Sequence, residues 1–403
     1  MKLAIEKDLI EVELEPEKKG LVLKHREYTV TSRQHKVSVQ RRYNDFVSFH
    51  EVLLMRYPYR LVPKLPPKKI VANNEFIEGR RRALRRFLNI VSKHPAMSYD
   101  PIITYFLTFK GSDVGHKLKE QYKGVPDEFM TNTMAANAKE MVPQDTQGNL
   151  SNSKQQIYTI HRCVEQMREV IERLAGRSTG NAVDMLNFSK NLSVLAEDSS
   201  PVTSWATGGT KTWLHLQKGF KSLVVPFASI AEKCAVHSSK ETEEVSDYLE
   251  VFLDLTTGYK DLIERHEKGV LRDHQIALHK MQQYKQRHMS ATVKGNDSVD
   301  QLEHKIVQQE GAIHTMENRN YFSLYCLQME TQLIHANLDV LVEMLRNLVK
   351  IQIRKHNELC SQWEDMKGPV DQLAESVKGG ASSPTSNTPQ ISPTQASAPS
   401  FFD

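Results

Sequence analysis

Apolar and polar side chains nearly alternate between residues 8 and 43. The runs Asp8-Leu9-Ile10-Glu11-Val12-Glu13-Leu14, Tyr28-Thr29-Val30 and Lys36-Val37-Ser38-Val39 are broken by Pro16, Gly20 or polar turns. This period of two predicts a three-stranded antiparallel meander. From Tyr43 the period lengthens: Phe46, Phe49, Val52, Leu53 and Tyr57 fall on one face of a helix that Pro58 helps to stop. Pro63-Lys64-Leu65-Pro66-Pro67-Lys68-Lys69 follows, where three prolines fix φ and remove donors, so a stiff, exposed, basic loop is expected. A second helix is predicted from about Phe76 to Ser92, with Phe76, Ile77, Leu84, Phe87, Leu88 and Val91 inward and Arg80, Arg81, Arg82, Arg85 and Arg86 largely outward. Ile102, Ile103, Tyr105, Phe106 and Leu107 close this α+β module near residue 110.

Residues 111–150 mix glycine and proline with short helical stretches and read as a packed connector. Beyond them the pattern is helical. Ile157, Ile160, Val164, Met167, Ile171 and Leu174 keep 3,4 spacing, which Met185, Phe188, Leu192 and Leu195 resume, predicting a helix that ends before Ser199-Ser200-Pro201. A second helix is expected from about Thr210 to Ser290, kinked at Pro226, and a third over 298–367 carrying Leu324, Leu327, Ile334, Leu338, Leu341, Leu345 and Leu348. At ~1.5 Å per residue these helices reach roughly 65 to 120 Å. Three such helices form an all-α coiled coil whose leftover apolar surface a second copy can bury, so an elongated dimer is expected. The Ser/Thr/Pro/Gly-rich end lacks the apolar content to fold. The expected organisation is a module at 1–110, a connector at 111–150, a helical region at 151–370 and a disordered tail at 371–403.

Charge sharpens this picture. Residues 1–110 hold 22 Lys+Arg against 12 Asp+Glu, whereas the remainder holds 31 against 37. The basic excess belongs to the first module, which calls for an anionic partner there. No run of eighteen apolar residues appears and the first residues lack a secretory signal, so any membrane contact is expected to be peripheral. Cys163, Cys234, Cys326 and Cys360 form no CxxC or zinc-like spacing and fit buried or incidental thiols in a reducing cytosol. Gly208-Gly209-Thr210-Lys211-Thr212 lacks the Gly-Lys pair of a phosphate loop and reads as a turn. No HExxH and no nucleophile elbow is present, and no enzyme, catalytic residue, metal site or cofactor is expected.

Three basic motifs recur at informative spacing: Arg41-Arg42-Tyr43-Asn44-Asp45-Phe46 at a strand–helix junction, Leu65-Pro66-Pro67-Lys68, and Arg80-Arg81-Arg82-Ala83-Leu84. Guanidinium groups grip phosphate bidentately, a lysine adds a point charge, and an aromatic ring packs beneath a flat polyol. Taken singly, each piece also fits a plainer role: Arg41 or Arg42 as a solvated strand-end charge, Tyr43 as a core side chain, the arginine run as an exposed helix face. Together, with His94-Pro95, they resemble the PX domain of sorting nexins across residues 1–110. Tyr259–Leu271 and Arg319–Leu327 resemble the BAR region that follows PX in one branch of that family.

The resemblance implies a phosphatidylinositol 3-phosphate reader. Arg42 would take the 3-phosphate, Tyr43 would lie beneath the ring, Lys68 would take the 1-phosphate and Arg80 the 4- and 5-hydroxyls. Arg81 faces the ligand in an alternative register, and Asn44 stands where the family commonly has serine. Ile70 and Val71 suit bilayer insertion and packing equally well. The family implies a homodimer through the helical region, open to higher assembly, on the cytoplasmic side of early endosomes, in cargo sorting and retrieval, with no nucleic acid partner. Lys280, Lys285, Arg287 and Lys294 are candidate membrane contacts of the acidic helical region. The rival reading is a cytosolic coiled-coil scaffold whose basic domain binds nucleic acid or acidic proteins.

Overall fold

A computed structural model describes residues 9–19, 25–68, 73–197, 211–293 and 299–380. Ile70, Val71, Lys294, the Gly208–Thr210 turn and residues 381–403 of the expected tail lie outside them. The chain divides into one unit made of residues 1–173 and 241–349, and a second made of 174–240 and 350–403.

In the first unit, β1 (Ile10–Lys19), β2 (His25–Ser32) and β3 (Val37–Arg42) form the expected antiparallel meander in the order β1-β2-β3. The β1–β2 register shifts between Leu14 and Lys18, around Pro16, which has no N–H for the ladder. Against the sheet pack α1 (Tyr43–Arg56), α2 (Asn74–Lys93) and α3 (Pro101–Thr108). Asn73 caps α2 by accepting the Phe76 N–H at 2.9 Å, and Asp100 caps α3 ahead of Pro101 in the same way at Ile102. Val30, Phe46, Phe49, Leu84, Phe87, Ile102 and Phe106 fill the core, with Phe49 stacked on Phe106 at 4.2 Å. Asn89, a polar residue on the inner side of α2, accepts the N–H groups of Leu9 and Ile10 and donates to the Ile10 carbonyl, tying the first strand to the helix.

The connector is packed, as expected. Its α4 (Val114–Gln121) puts Val114 and Leu118 into the same core, and the short α5 (Glu128–Thr131) and α6 (Ala138–Met141) help to cover Phe322 and Cys326. The first long helix, α7 (Thr146–Ala196), begins inside the segment expected as connector. The second helical run is α8 (Lys211–Glu241), α9 (Asp247–Arg265) and α10 (Arg272–Val293), joined through π-helical turns at Thr242–Ser246 and His266–Leu271 that heptad spacing did not foretell. The third is jointed: α11 (Val299–Ala336) stops, and α12 (Asp339–Gly380) resumes after Asn337 and Leu338. At the joint the backbone tightens to i→i+3 bonds, and the Asn337 side chain donates to the Leu333 carbonyl at 2.7 Å. Residues 371–380, expected as the start of a disordered tail, are instead the last turns of α12. In the second unit, Leu192, Leu223, Ile230, Cys234 and Met366 form a separate small core from α7, α8 and α12.

Charged side chains inside the first unit join the sheet module to the helices. Arg60 grips Glu128 with Nε and Nη2 at 2.7 to 3.0 Å and reaches Glu330 at 3.4 Å. His94 accepts the Ala96 N–H at Nδ1, so its Nε2 carries the proton donated to Glu330 at 2.9 Å. All four side chains are buried. Nearby, Gly258 of α9 allows close approach: a Cβ there would lie 2.9 Å from Leu61 Cδ2 and 3.1 Å from the Val62 carbonyl. Burial pushes the Glu330 carboxyl up, and His94 and Arg60 more than offset this, so it sits below its usual value. Its contribution to stability is therefore complete above the ordinary carboxylate range and is lost as pH falls through the lowered folded value.

Two outcomes follow from that network. Stability should stay flat with respect to Glu330 from neutral pH to about 5, then fall as the pH drops below about 4. Glu330→Leu should strand His94 and remove half of the Arg60 pairing, costing about 3 kcal/mol in urea unfolding and flattening the acid limb. An unchanged unfolding midpoint and acid limb would show that the network holds nothing.

Candidate functional site

Strand alternation sends adjacent arginines to opposite sides of β3. Arg41 turns inward: its Nε and Nη2 donate to the Phe106 carbonyl at 3.0 and 2.6 Å, and Nη2 also donates to Phe109 at 2.7 Å. It is buried against the Phe106 ring, and burial lowers its pKa to about 10 against the pull of Asp45. Arg42 faces out as the residue before α1, 44% exposed. Asp45 accepts its backbone N–H at 2.9 Å and its Nε at 3.4 Å, while Nη2 lies 3.3 Å from Asp113. These long ion pairs border an open groove of about 800 Å³ between β3 and residues 110–114.

Tyr43 is the first residue of α1 and is half-buried. Its hydroxyl donates to the Pro66 carbonyl, which fixes the proline loop against the helix start. The Arg80 guanidinium lies 4.8 Å from the Tyr43 ring centre and equally far from that of Phe76, and Nη2 donates to the Pro67 carbonyl at 3.3 Å. Burial raises the Tyr43 phenol, opposed by the Arg80 charge, so the hydroxyl stays protonated at neutral pH. Lys68 donates to Asn44 Oδ1 at 3.2 Å. The structure thus gathers Tyr43, Asn44, Lys68 and Arg80 around one loop, with Arg42 next in the chain.

Arg81 does not join them. It pairs with Glu78 at 2.6 Å and donates to the Val12 carbonyl at 2.8 Å, which fastens α2 to β1. The rest of the run is also committed elsewhere. Arg86 holds Asp254 at 2.7 Å and Glu250 at 3.2 Å, and Arg82 and Arg85 reach Asp247 at 3.7 and 4.0 Å, all three acids lying on α9. Burial raises Asp247 and Asp254 despite these arginines.

Sequence reasoning placed Phe76 in the core and missed its second role as the other wall for Arg80. Its position four residues before Arg80 on a helix was the available signal. Asp113, the carboxylate that holds Arg42, stands far away in sequence at φ 59° and carried no signal. The assembled set is cationic donors, an aromatic face and an amide around a rigid loop, which is the chemistry of holding a phosphorylated polyol. Among the described residues no helix is long and apolar enough to cross a membrane.

Comparison with known proteins agrees with this geometry. Residues 29–110 match the PX domain model, and residues 124–377 match the model described as the sorting nexin 8/Mvp1 BAR domain. Sorting nexin-8 of Mus musculus is 51% identical over 363 residues, covering 90% of this chain and 79% of its own length. Sorting nexin-8 of Homo sapiens is 50% identical over 364 residues, covering 90% and 78%. The cryo-EM structure of the SNX-BAR Mvp1 tetramer superposes with a TM-score of 0.58 at 22% identity, over 88% of this chain and 99% of that one, and supports the fold. A phosphate-suited module built on a three-stranded sheet, followed by long jointed helices, is the family's architecture, and the chain belongs to the PX–BAR sorting nexins of the sorting nexin 8/Mvp1 group.

Proposed function

We propose that this sorting nexin reads phosphatidylinositol 3-phosphate on the cytoplasmic face of early endosomes and holds curved membrane there as a homodimer during cargo sorting and retrieval. The observation that carries the reading is the braced Arg80: two aromatic rings and a proline carbonyl fix its guanidinium beside Tyr43 before any ligand arrives. Such preorganisation lowers the entropy lost on binding. Arg42 supplies the 3-phosphate contact, since its ion pairs to buried Asp45 and exposed Asp113 are long, and a phosphate displaces the exposed Asp113 pair at little cost. Lys68 serves the 1-phosphate, Asn44 positions Lys68, and Arg80 serves the ring hydroxyls. Arg81 supports the site by fastening α2 to the sheet. The proposed division is a PX module at 1–110, a connector from 111 that runs into the start of α7, and a BAR region that extends through α12 to Gly380. The chain acts by binding and shaping, without catalysis or cofactor.

Dimerisation finds support on α12, where Val342, Leu345, Val349 and Ile353 are each about half exposed at i, i+3, i+7 and i+11. By contrast Ile334 is buried within the chain, and Leu341 and Leu348 are partly covered, so of the leucines on this helix Leu345 joins the open stripe while Leu341 and Leu348 turn toward their own chain. The tetrameric Mvp1 relative supports assembly beyond a dimer. The nucleic-acid alternative loses its main support, because Arg82, Arg85 and Arg86 already face acids of α9.

Arg42→Ala and Arg80→Ala should each lose charge-assisted contacts of about 1.5 to 3 kcal/mol, roughly 10- to 150-fold in affinity for vesicles containing phosphatidylinositol 3-phosphate. Arg81→Ala should keep isomer selectivity and lower the melting temperature. Undiminished vesicle binding by folded Arg42→Ala protein would refute the head-group assignment. The triple variant Val342→Asp, Leu345→Asp, Val349→Asp should sediment as a monomer and bind those vesicles more weakly than the wild type, because linked heads gain avidity. A wild-type monomer at micromolar concentration would sink the dimer.

A further inference from the structure

Outside the PX pocket, the first turns of α7 and the middle of α9 form an open groove of about 660 Å³ in the first unit. Tyr158 stands at its centre, and two ammonium groups flank the ring: Lys154 Nζ at 5.8 Å and Lys260 Nζ at 5.3 Å from its centroid. Arg162 follows Lys154 and Tyr158 at helical spacing, so three of these side chains share one face of α7. His161 lines the groove too, its Nδ1 2.7 Å from the Thr256 hydroxyl, which sets the ring orientation. The opposing charges are Glu165 in the lining and Glu267, which holds Lys154 at 2.6 Å. Three cations face two anions, and among the described residues the ion pair to these acids is that of Lys154 with Glu267, with none from Lys260 or Arg162.

A tyrosine ring with a cation against it is also what Tyr43 and Arg80 make in the PX pocket. We propose that this groove is a second binding site for a phosphorylated polyol, with Tyr158 packing against the carbon face and Lys260 and Arg162 taking phosphate. On α9 the next residue, Asp261, pairs with Lys64 at 3.3 Å, and Lys64 begins the loop that ends at Lys68. The groove and the PX loop are therefore neighbours in the same compact unit, yet they share no side chain.

The test uses the full chain carrying Arg42→Ala, which silences the first pocket, and two probes: inositol hexakisphosphate by calorimetry, and phosphatidylcholine vesicles containing phosphatidylinositol 4-phosphate by flotation. The Arg42→Ala protein should bind the soluble probe once per chain. Adding Arg162→Ser and Lys260→Ser should weaken that binding at least tenfold, whereas the matched charge loss Lys117→Ser with Lys119→Ser should not. Parallel loss of flotation identifies a lipid head group as the source. Loss with the soluble probe alone identifies a free inositol phosphate. Equal binding with and without Arg162→Ser and Lys260→Ser, or an equal loss in the lysine control, would overturn the site. Arg42→Ala tested against 3-phosphorylated vesicles decides the first pocket independently, and unchanged circular dichroism verifies the fold of each variant.

Discussion

A carboxylate removed from water must be met by a cation or by hydrogen-bond donors, and Glu330 is met by one of each from the sheet module: the Arg60 guanidinium after α1 and the His94 Nε2–H after α2. Glu128 of the connector completes the set by gripping Arg60 from the other side. Each member needs the others, since a lone charge at this burial would be several kcal/mol unfavourable. The network tolerates no sliding of α11 against the module: a displacement of one helical residue would leave a buried charge unmatched. Apolar contacts such as Tyr59 on Phe322, with ring centres 5.7 Å apart, are less discriminating and would accept neighbouring arrangements. The ionic set therefore specifies the arrangement, while the surrounding apolar contacts supply most of the cohesion.

The second tier of this joint explains the arginine run. Five arginines in a short stretch of α2 look alike in the sequence, yet helix geometry deals them to three destinations. Arg80 goes to the proline loop, Arg81 to β1 and Glu78, and Arg82, Arg85 and Arg86 to α9. The first brings its guanidinium to the Tyr43 ring beside that loop. The excess positive charge of residues 1–110 is thus partly an internal counterweight to acids elsewhere in the same unit, and net charge alone overstates how much of it is available to an anionic partner. Arg41 and Arg42 show the same lesson on a strand, where a step of one residue separates a core strut from a largely exposed guanidinium.

Much of the fold was legible because it follows from period. The alternation before Arg42 and the helical spacing after it locate the sheet, α1 and α2 within a few residues, and Tyr43, Asn44, Lys68 and Arg80 converge because a proline loop leaves few ways to connect two helices. What stayed hidden depends on contacts distant in sequence. Glu330 reads as a surface residue of a heptad helix, and only the fold brings Arg60 and His94 to it. The joint at Asn337 and Leu338 carries no proline or glycine, and the π turns at Thr242–Ser246 and His266–Leu271 break no apolar stripe. Thr242, Gly269 and Asn337 are weak helix formers, but Gly176, Gly180 and Gly311 lie within unbroken helices, so tertiary packing decides where the helix yields. Ile334 is buried while Val342 is half exposed for the same reason: periodicity finds the apolar faces of a helix without saying which face its own chain will cover.

The joint also bears on how the PX pocket is held. The loop that carries Lys68 is fixed at three places: Tyr43 at the Pro66 carbonyl, Arg80 at the Pro67 carbonyl, and Lys64 at Asp261 of α9. The segment before it is fixed as well, since Arg265 donates to the carbonyls of Pro58 and Arg60, and Gly258 admits Leu61 and Val62 to the helix surface. A head-group pocket of this kind would otherwise sit on a free loop and lose entropy whenever it bound. Here the ordering is already supplied by folding, and the helix that supplies it also carries Lys260 and Tyr259 on adjacent positions, one lining the basic groove and the other buried with its hydroxyl 2.6 Å from Thr331 of α11. Pocket, groove and buried network are consequently parts of the same compact unit, so the proline loop and the residues around Tyr43 are held by the packing of α9 and α11 as well as by the loop itself.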